Sequence, residues 1–175
     1  MRTIARILSG STAAAVALAY GVAAHAGPTD TALPLFSNGA SSVHVYTAVG
    51  VIKRNSVETV FICTNVDTVP VNIGVEVFEK DGTLGNSIPA GNGESLGVPV
   101  GATVTFGTSG TALLTEDVIL ATLPALDNGS GRIIASTKNI ECIALLMDEL
   151  HGIVDPAFST SPPPMAVSLP LFPVP

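Results

Sequence analysis

The sequence predicts an all-β protein: an antiparallel β-sandwich of about seven to eight strands, with an immunoglobulin-like architecture. Apolar residues recur at every second position in several segments, which is the period of a strand with one buried face. The 17 glycines and 13 prolines cluster largely between these segments, where turns are needed. No sustained helical period follows the N-terminal region. A closed β-barrel is the alternative architecture.

The first 26 residues have the pattern of a secretory signal peptide. Arg2 and Arg6 form a positive start, an alanine-rich apolar stretch runs to Val22, and Ala24-His25-Ala26 is a small-x-small cleavage site. A transmembrane anchor is the alternative, but the apolar run is short for a bilayer. We therefore expect a signal peptide at 1–26, a β-sandwich domain at 27–160 and a proline-rich tail at 161–175.

The chain is acidic, with 7 Lys and Arg against 14 Asp and Glu, and loss of Arg2 and Arg6 would make it more so. A negative surface repels nucleic acid and anionic membranes. The composition therefore predicts no nucleic-acid partner, and cleavage of the predicted signal peptide would leave no integral membrane segment.

Three β segments open the predicted domain. The first alternates between inward and outward positions, with the inward set expected at Val43, Val45, Thr47, Val49 and Val51. The second covers 57–65. The third, 69–77, is the most regular amphipathic pattern, with valines and one isoleucine on one face and Glu76 on the other. Turns are predicted at 65–68 and 80–83.

The second half of the domain is less regular. Residues 84–101 are rich in glycine, asparagine and proline and predict a long loop. Strands are expected at 102–107, 131–136 and 140–148, with a turn at Asp127-Asn128-Gly129-Ser130. Residues 116–123 fit either a strand or one helical turn. The tail segment MAVSLPLF alternates again, and Pro170 restricts it to a sheet edge.

Two cysteines follow the predicted signal peptide. Cys63 shares a strand face with Phe61, and Cys142 shares one with Ile140 and Ala144, so both side chains are expected to point into the core. A signal peptide implies an oxidising destination, so a disulfide between them is predicted. Two free buried thiols are the alternative. A catalytic thiol is not expected, because no neighbouring base or cation would stabilise a thiolate.

One polar cluster has residue types that bind divalent cations: Asp148, Glu149, His151 and Asp155. A solvated turn after a strand explains the same residues, and we prefer that interpretation. The sequence has no calcium-loop or HExxH motif. No metal site and no cofactor are therefore predicted, with these four residues as the weak candidates.

Other polar features also favour structural explanations. Glu116 and Asp117 are adjacent, so on a strand they would face opposite ways and not form a glycosidase pair. His44 and Tyr46 are expected on the same face of the first strand, as a ligand patch or as ordinary surface groups. Asn128-Gly129-Ser130 matches a glycosylation acceptor. No residue is predicted to be catalytic.

Four segments occur in an order that resembles a family of uncharacterised secreted bacterial β-sandwich proteins. They are VFICTNVDTVPVNIGVEVFEKDG, GATVTFGT, GSGRIIASTKNIECIALLMD and PPPMAVSLPL. The resemblance spans most of residues 43–171 and rests on the CTN strand, the GS-x-R-I segment and the second cysteine strand. It implies a bacterial, exported sandwich with a disulfide and transfers no functional residue.

Residues 140–147 are apolar on both faces, so a loop, the tail or a partner must cover the second face. The tail could also add a strand to a neighbouring copy, through Met165, Val167, Leu169 and Leu171. The sequence thus predicts an exported non-enzymatic β-sandwich, secreted or located in the periplasm or at the cell surface, that binds a ligand or has a structural role. The alternatives are a subunit of an extracellular assembly and a metal-dependent hydrolase.

Overall fold

The computed structural model describes residues 27–110, 114–120, 125–148 and 165–175. These residues form an all-β protein, as the sequence predicts. The strands are β1 Val43–Arg54, β2 Val57–Asn65, β3 Val71–Phe78, β4 Glu94–Val98, β5 Thr103–Gly107, β6 Val118–Ile119, β7 Leu126–Ala135, β8 Ile140–Asp148, β9 Met165–Leu169 and β10 Leu171–Pro173.

The ten strands belong to one open hydrogen-bonded sheet. Its main path runs β4-β3-β7-β1-β2-β5-β6, while β8 lies between β2 and β9, and β10 lies beside β1. The pairings are antiparallel except for β5 with β6. The predicted antiparallel all-β class is therefore confirmed.

Strand β1 does not keep the simple alternation that the sequence predicts. Val45, Ala48 and Val51 are buried, whereas Val49 is 46% exposed. The pairing of β1 with β7 shifts register three times along its length. Each shift inserts or removes a residue between paired positions and so changes which face the next side chain occupies. Gly50, with φ +82°, lies at one of these irregularities.

Strand β3 is buried along its whole length, so the amphipathic interpretation was wrong. Its inner face, including Ile73, Val75 and Val77, belongs to the main hydrophobic core. Its outer face lies beneath residues that precede β1 and a short 3-10 turn at Ile88–Ala90. The residues that precede β1 also contact the buried ion pair of Arg132 and Glu76.

Two segments predicted as irregular contain strands. The predicted loop 84–101 holds the 3-10 turn and β4, which pairs with β3. The predicted turn at Asp127-Asn128-Gly129-Ser130 lies inside β7. Asn128 has φ +53°, a conformation that asparagine tolerates better than most residues. The local turn signal therefore marks an irregularity within a strand and not the end of one.

Candidate functional site

The two cysteines lie directly opposite each other on the paired strands β2 and β8. Their sulfur atoms are 2.13 Å apart, at disulfide distance, and the described residues include no free cysteine. Cys63 is buried, and Cys142 packs partly buried against the same core. The bridge joins neighbouring strands, unlike the disulfide between the two sheets of an immunoglobulin domain.

Among the described residues, Arg132 on β7 and Glu76 on β3 form a buried ion pair. Both residues are 1% exposed and directly opposite in the β3–β7 register. Arg132 Nε donates a hydrogen bond of 2.7 Å to Glu76 Oε2, and the guanidinium carbon lies 5.4 Å from the centre of the Phe78 ring. Burial raises the pKa of the Glu76 carboxyl, while the Arg132 charge and hydrogen bond oppose that rise.

The other donors of Arg132 hold the N-terminal segment, which we define as residues 27–42. Nη1 donates to the carbonyl oxygens of Pro28 at 3.0 Å and Thr31 at 2.7 Å, and Nη2 donates to that of Ala32 at 3.2 Å. A guanidinium has five N–H donors in a planar fork, which suits several acceptors at once. Arg132 therefore attaches the N-terminal segment to the sheet through its backbone.

Phe36 provides the second attachment of the N-terminal segment. Its side chain is 1% exposed and packs with Ile88 and Ile134 in a small hydrophobic cluster, separate from the main core. Gly74 lies beneath it, where an added Cβ would come within 3.3 Å of the Phe36 ring. The glycine thus leaves room for the aromatic ring. We call Arg132, Glu76 and this Phe36 pocket the anchor site.

Sequence reasoning did not single out the anchor site. One signal was present: Arg132 directly precedes the apolar run Ile133-Ile134-Ala135 in a chain with only 12% charged residues. A charged residue among apolar strand positions is either at the edge or paired inside. Its partner, 56 positions away, cannot be identified without the register of β3 against β7.

The C-terminal tail occupies two sheet edges. Strand β9 pairs with β8, and after Pro170 strand β10 pairs with β1. Leu169 is 8% exposed in the main core, and Leu171 packs against that core, whereas Val167 is 53% exposed. Two of the four residues expected to mediate self-association therefore contribute to this chain's own core.

The outer face of β8 beside the disulfide is only partly covered. Ile143 is 55% exposed and borders a shallow groove of about 250 Å³, which Ile62, Thr64, Glu141 and Cys142 also line. The tail lies beside β8 and not across this face. The tail therefore pairs at the edge of β8 and does not cover this face, and the groove stays open among the described residues.

Only one of the four weak metal candidates belongs to the described residues. Asp148 ends β8, and its Oδ1 accepts a hydrogen bond of 2.8 Å from the Ser56 hydroxyl. Glu149, His151 and Asp155 lie outside the described residues, so their predicted cluster stays a prediction. Within 27–110, 114–120, 125–148 and 165–175, no group of three or more His, Cys, Asp or Glu residues could hold a metal ion.

His44 and Tyr46 were expected on the same face of the first strand, but a register shift in β1 falls between them. His44 lies opposite Ile134 and bonds the Thr47 hydroxyl through Nε2 at 3.0 Å. Tyr46 instead packs against the main core and donates its hydroxyl to the Ile140 carbonyl at 3.1 Å. Burial lowers the pKa of His44.

The adjacent carboxylates Glu116 and Asp117 lie just before the two-residue strand β6. Asp117 Oδ2 accepts a hydrogen bond of 2.8 Å from the Thr105 backbone, so it helps to fix this edge of the sheet. Asn128, in the glycosylation acceptor pattern, is exposed on β7. The position of Glu116 and Asp117 at a sheet edge agrees with the preferred sequence interpretation.

Comparisons with protein-family models, with curated proteins and with solved structures found no match. Among the residues that the structure describes, none forms a helix with the length and apolarity needed to cross a membrane. The functional argument therefore depends on this chain's own residues.

Proposed function

We propose that this chain is an exported, non-enzymatic β-sandwich with a structural or binding role outside the cytoplasm. The observation that carries the proposal is the Cys63–Cys142 pair at disulfide distance. Disulfides persist in oxidising compartments, and the predicted signal peptide would deliver the chain to one. The periplasm, the cell surface and the medium all satisfy this requirement.

Contacts between strands that do not pair support the sandwich architecture. Phe61 on β2 has a ring atom 3.1 Å from the position of a Cβ on Gly131 of β7, although β1 separates these strands in the sheet order. In a flat sheet, strands two positions apart lie about 9.5 Å from each other. Leu169 on β9 similarly comes within 3.5 Å of a Cβ position on Gly50 of β1. These contacts favour a sheet folded over a common core.

Export and oxidation can be tested together by expressing the full chain, with its first 26 residues, in a bacterium. We expect the protein in the periplasmic or extracellular fraction, with a mass that corresponds to cleavage after Ala26 and to the loss of two thiol hydrogens. Protein that stays in the cytoplasm, with both thiols open to alkylation after rapid acid quenching, would refute the proposal. A stoichiometric divalent cation in the purified protein would instead favour the hydrolase.

A second candidate function is a subunit of an extracellular assembly that uses β9 as its connector. Asp148 at the end of β8 and Met165 at the start of β9 lie directly opposite each other, yet 16 residues, 149–164, join them. Hairpin connections usually need two to five residues. A chain of this length can span roughly 50 Å when extended. Because of this length, the tail can reach β8 of a neighbouring copy. Residues 165–175 have no charged side chain that would oppose this pairing.

The location of β9 can be tested with a second disulfide. Leu145 and Ser168 are opposite each other on β8 and β9, so we propose the double variant Leu145→Cys with Ser168→Cys. Covalent multimers on non-reducing gels, formed from concentrated protein, would support exchange of the tail. A fully cross-linked monomer at every concentration would refute it. The single variant Ser168→Cys controls for random oxidation.

A further inference from the structure

The N-terminal segment covers the sheet without belonging to it. Within the described residues it forms no strand pairing. It is held instead by the anchor site and by the hydrogen bond of 3.0 Å from the Ser37 backbone N–H to Glu94 Oε2 on β4, while a hydrogen bond from the Ser42 hydroxyl to the Pro34 carbonyl lies within the segment itself. A segment attached in this way resembles a peptide bound on a folded surface more than a strand built into it.

The anchor site recognises two features of a peptide. Arg132 reads main-chain carbonyls at three positions, 28, 31 and 32, and so fixes the course of the backbone. A pocket binds the aromatic side chain of Phe36, four residues after the last of these carbonyls. It is formed by Ile88, Ile134 and the surface of Gly74. Peptide-binding proteins commonly combine hydrogen bonds to the peptide backbone with a pocket for one apolar side chain.

The hydrogen bonds of Arg132 and the packing of the Phe36 ring do not depend on the peptide bond between Gly39 and Ala40. That peptide bond lies in a short turn at 36–40, inside the N-terminal segment, in which the Gly39 N–H donates to the Phe36 carbonyl and the Phe36 N–H to the Ala40 carbonyl. Residues 37–39 of this turn are exposed. The turn can therefore be opened without disturbing either attachment point.

We propose that the outer face of β3 and β7 is a peptide-binding site, which this chain's own N-terminal segment fills and which also accepts the same segment from a second copy. The second copy is the partner because it carries the one peptide whose carbonyl positions and aromatic ring are shown to match the anchor site. Exchange of an identical element between copies preserves every contact. Because the linked segment has a high effective concentration, exchange in dilute solution requires that the turn be opened.

The test uses a protease site inserted between Gly39 and Ala40 and cut only after the protein has folded. Nicked protein is then incubated with an excess of a fluorescent peptide of residues 27–39. We expect the peptide to replace the nicked segment and to co-elute with the protein. A peptide with Phe36→Ala should compete about 100-fold less well or worse, since a buried phenylalanine anchor is lost. A peptide with Leu35→Ala should compete normally, because Leu35 is 53% exposed.

A second arm examines the copy as partner. The donor is an uncut full chain with Glu76→Leu and Arg132→Met, which keeps an apolar pair in place of the ion pair but cannot bind the carbonyls. Because this donor no longer holds its own N-terminal segment, we expect that segment to bind to nicked wild-type protein. Light scattering should then show a one-to-one complex, and an excess of the free peptide should dissociate it. Absence of that complex would refute exchange between copies.

The peptide arm has its own refuting results. If the fluorescent peptide never replaces the nicked segment, or if Phe36→Ala competes as well as the native sequence, the peptide-binding site is refuted. The nicked Glu76→Leu, Arg132→Met protein provides the internal check, since it should lose its segment on gel filtration while wild-type protein retains it. If both proteins retain the nicked segment equally, Arg132 does not contribute to binding the segment.

Discussion

Replacement of Arg132 by methionine in the full chain tests the energetic role of the buried ion pair. The change leaves the Glu76 carboxyl, 1% exposed, without its cation. Removing one partner of a buried pair costs about 3–5 kcal/mol, because the remaining charge has lost both water and counter-charge. The carbonyls of the N-terminal segment regain water if the segment lifts, so we add nothing for them. The expected loss in the free energy of unfolding is therefore about 4 kcal/mol.

The double variant Glu76→Leu with Arg132→Met separates the ion pair from its packing. Replacing both partners by apolar groups of similar volume is often neutral or stabilising. We therefore expect the double variant to lie within about 2 kcal/mol of wild type and above the single variant. Urea unfolding followed by far-UV circular dichroism is the assay, since the chain has no tryptophan to report by fluorescence. The slope with urea should be unchanged.

The pH dependence of the single variant gives an independent readout. Burial already raises the pKa of Glu76, and Arg132 opposes the rise. Without Arg132, the pKa of Glu76 in the folded protein stays above its value in the unfolded chain. The protonated carboxyl then contributes to the free energy of unfolding at low pH, and this contribution is lost as the pH rises through the folded-state pKa. The deficit of Arg132→Met should therefore grow from pH 5 to pH 8. The reasoning is wrong if the single variant loses less than about 1 kcal/mol, or if the double variant is the less stable.

Three further predictions concern other parts of the fold. Replacing Cys63 and Cys142 together by alanine should lower the free energy of unfolding by up to about 4.5 kcal/mol, because the bridge closes a loop with a sequence separation of 79; no loss in thermal stability would contradict this. Leu169→Ala should cost about 2–5 kcal/mol in urea unfolding and Val167→Ala under about 1, following their burial; equal losses would contradict the placement of β9. The lowered pKa of His44 means that its contribution to stability is present above its unfolded pKa and lost as pH falls; His44→Gln should therefore reduce the drop in stability between pH 7.5 and 5.5, and an unchanged profile would contradict it.

The sequence predicts strand positions well where a segment is simply alternating or apolar. The second, third and eighth strands begin and end within about two residues of the predicted segments, because valine and isoleucine runs between turn residues leave few other conformations. The facing of the cysteines is also predictable, since strand period fixes which neighbours share a face. Local pattern is sufficient for these features.

The faces of β1 could not be predicted, because bulges depend on the partner strand. Val49 belongs to the same predicted inward set as Val45, yet it is exposed while Val45 is buried. The difference arises from register shifts against β7, a strand about 80 residues further along the chain. No local signal except Gly50 marks them, and a glycine in a strand has several meanings. The same shifts separate His44 from Tyr46.

The outer face of β3 was misread for a different reason. Glu76 alternates with valines, which ordinarily predicts a solvated position. It is buried in an ion pair with Arg132 opposite, which also binds the carbonyls of the N-terminal segment, and neither partner is close to it in sequence. Amphipathic patterns identify which side chains differ in polarity. They do not show whether another part of the chain covers the polar side.

This dependence also sets an order on folding. The carbonyls that Arg132 binds lie 100 or more positions before it in the chain. Glu76 holds the other side of the guanidinium in the native register of β3 and β7. We therefore expect the N-terminal segment, although it is synthesised before every strand, to dock after these two strands have paired. A segment that docks last onto a preformed surface is the kind of element that a second copy can also supply.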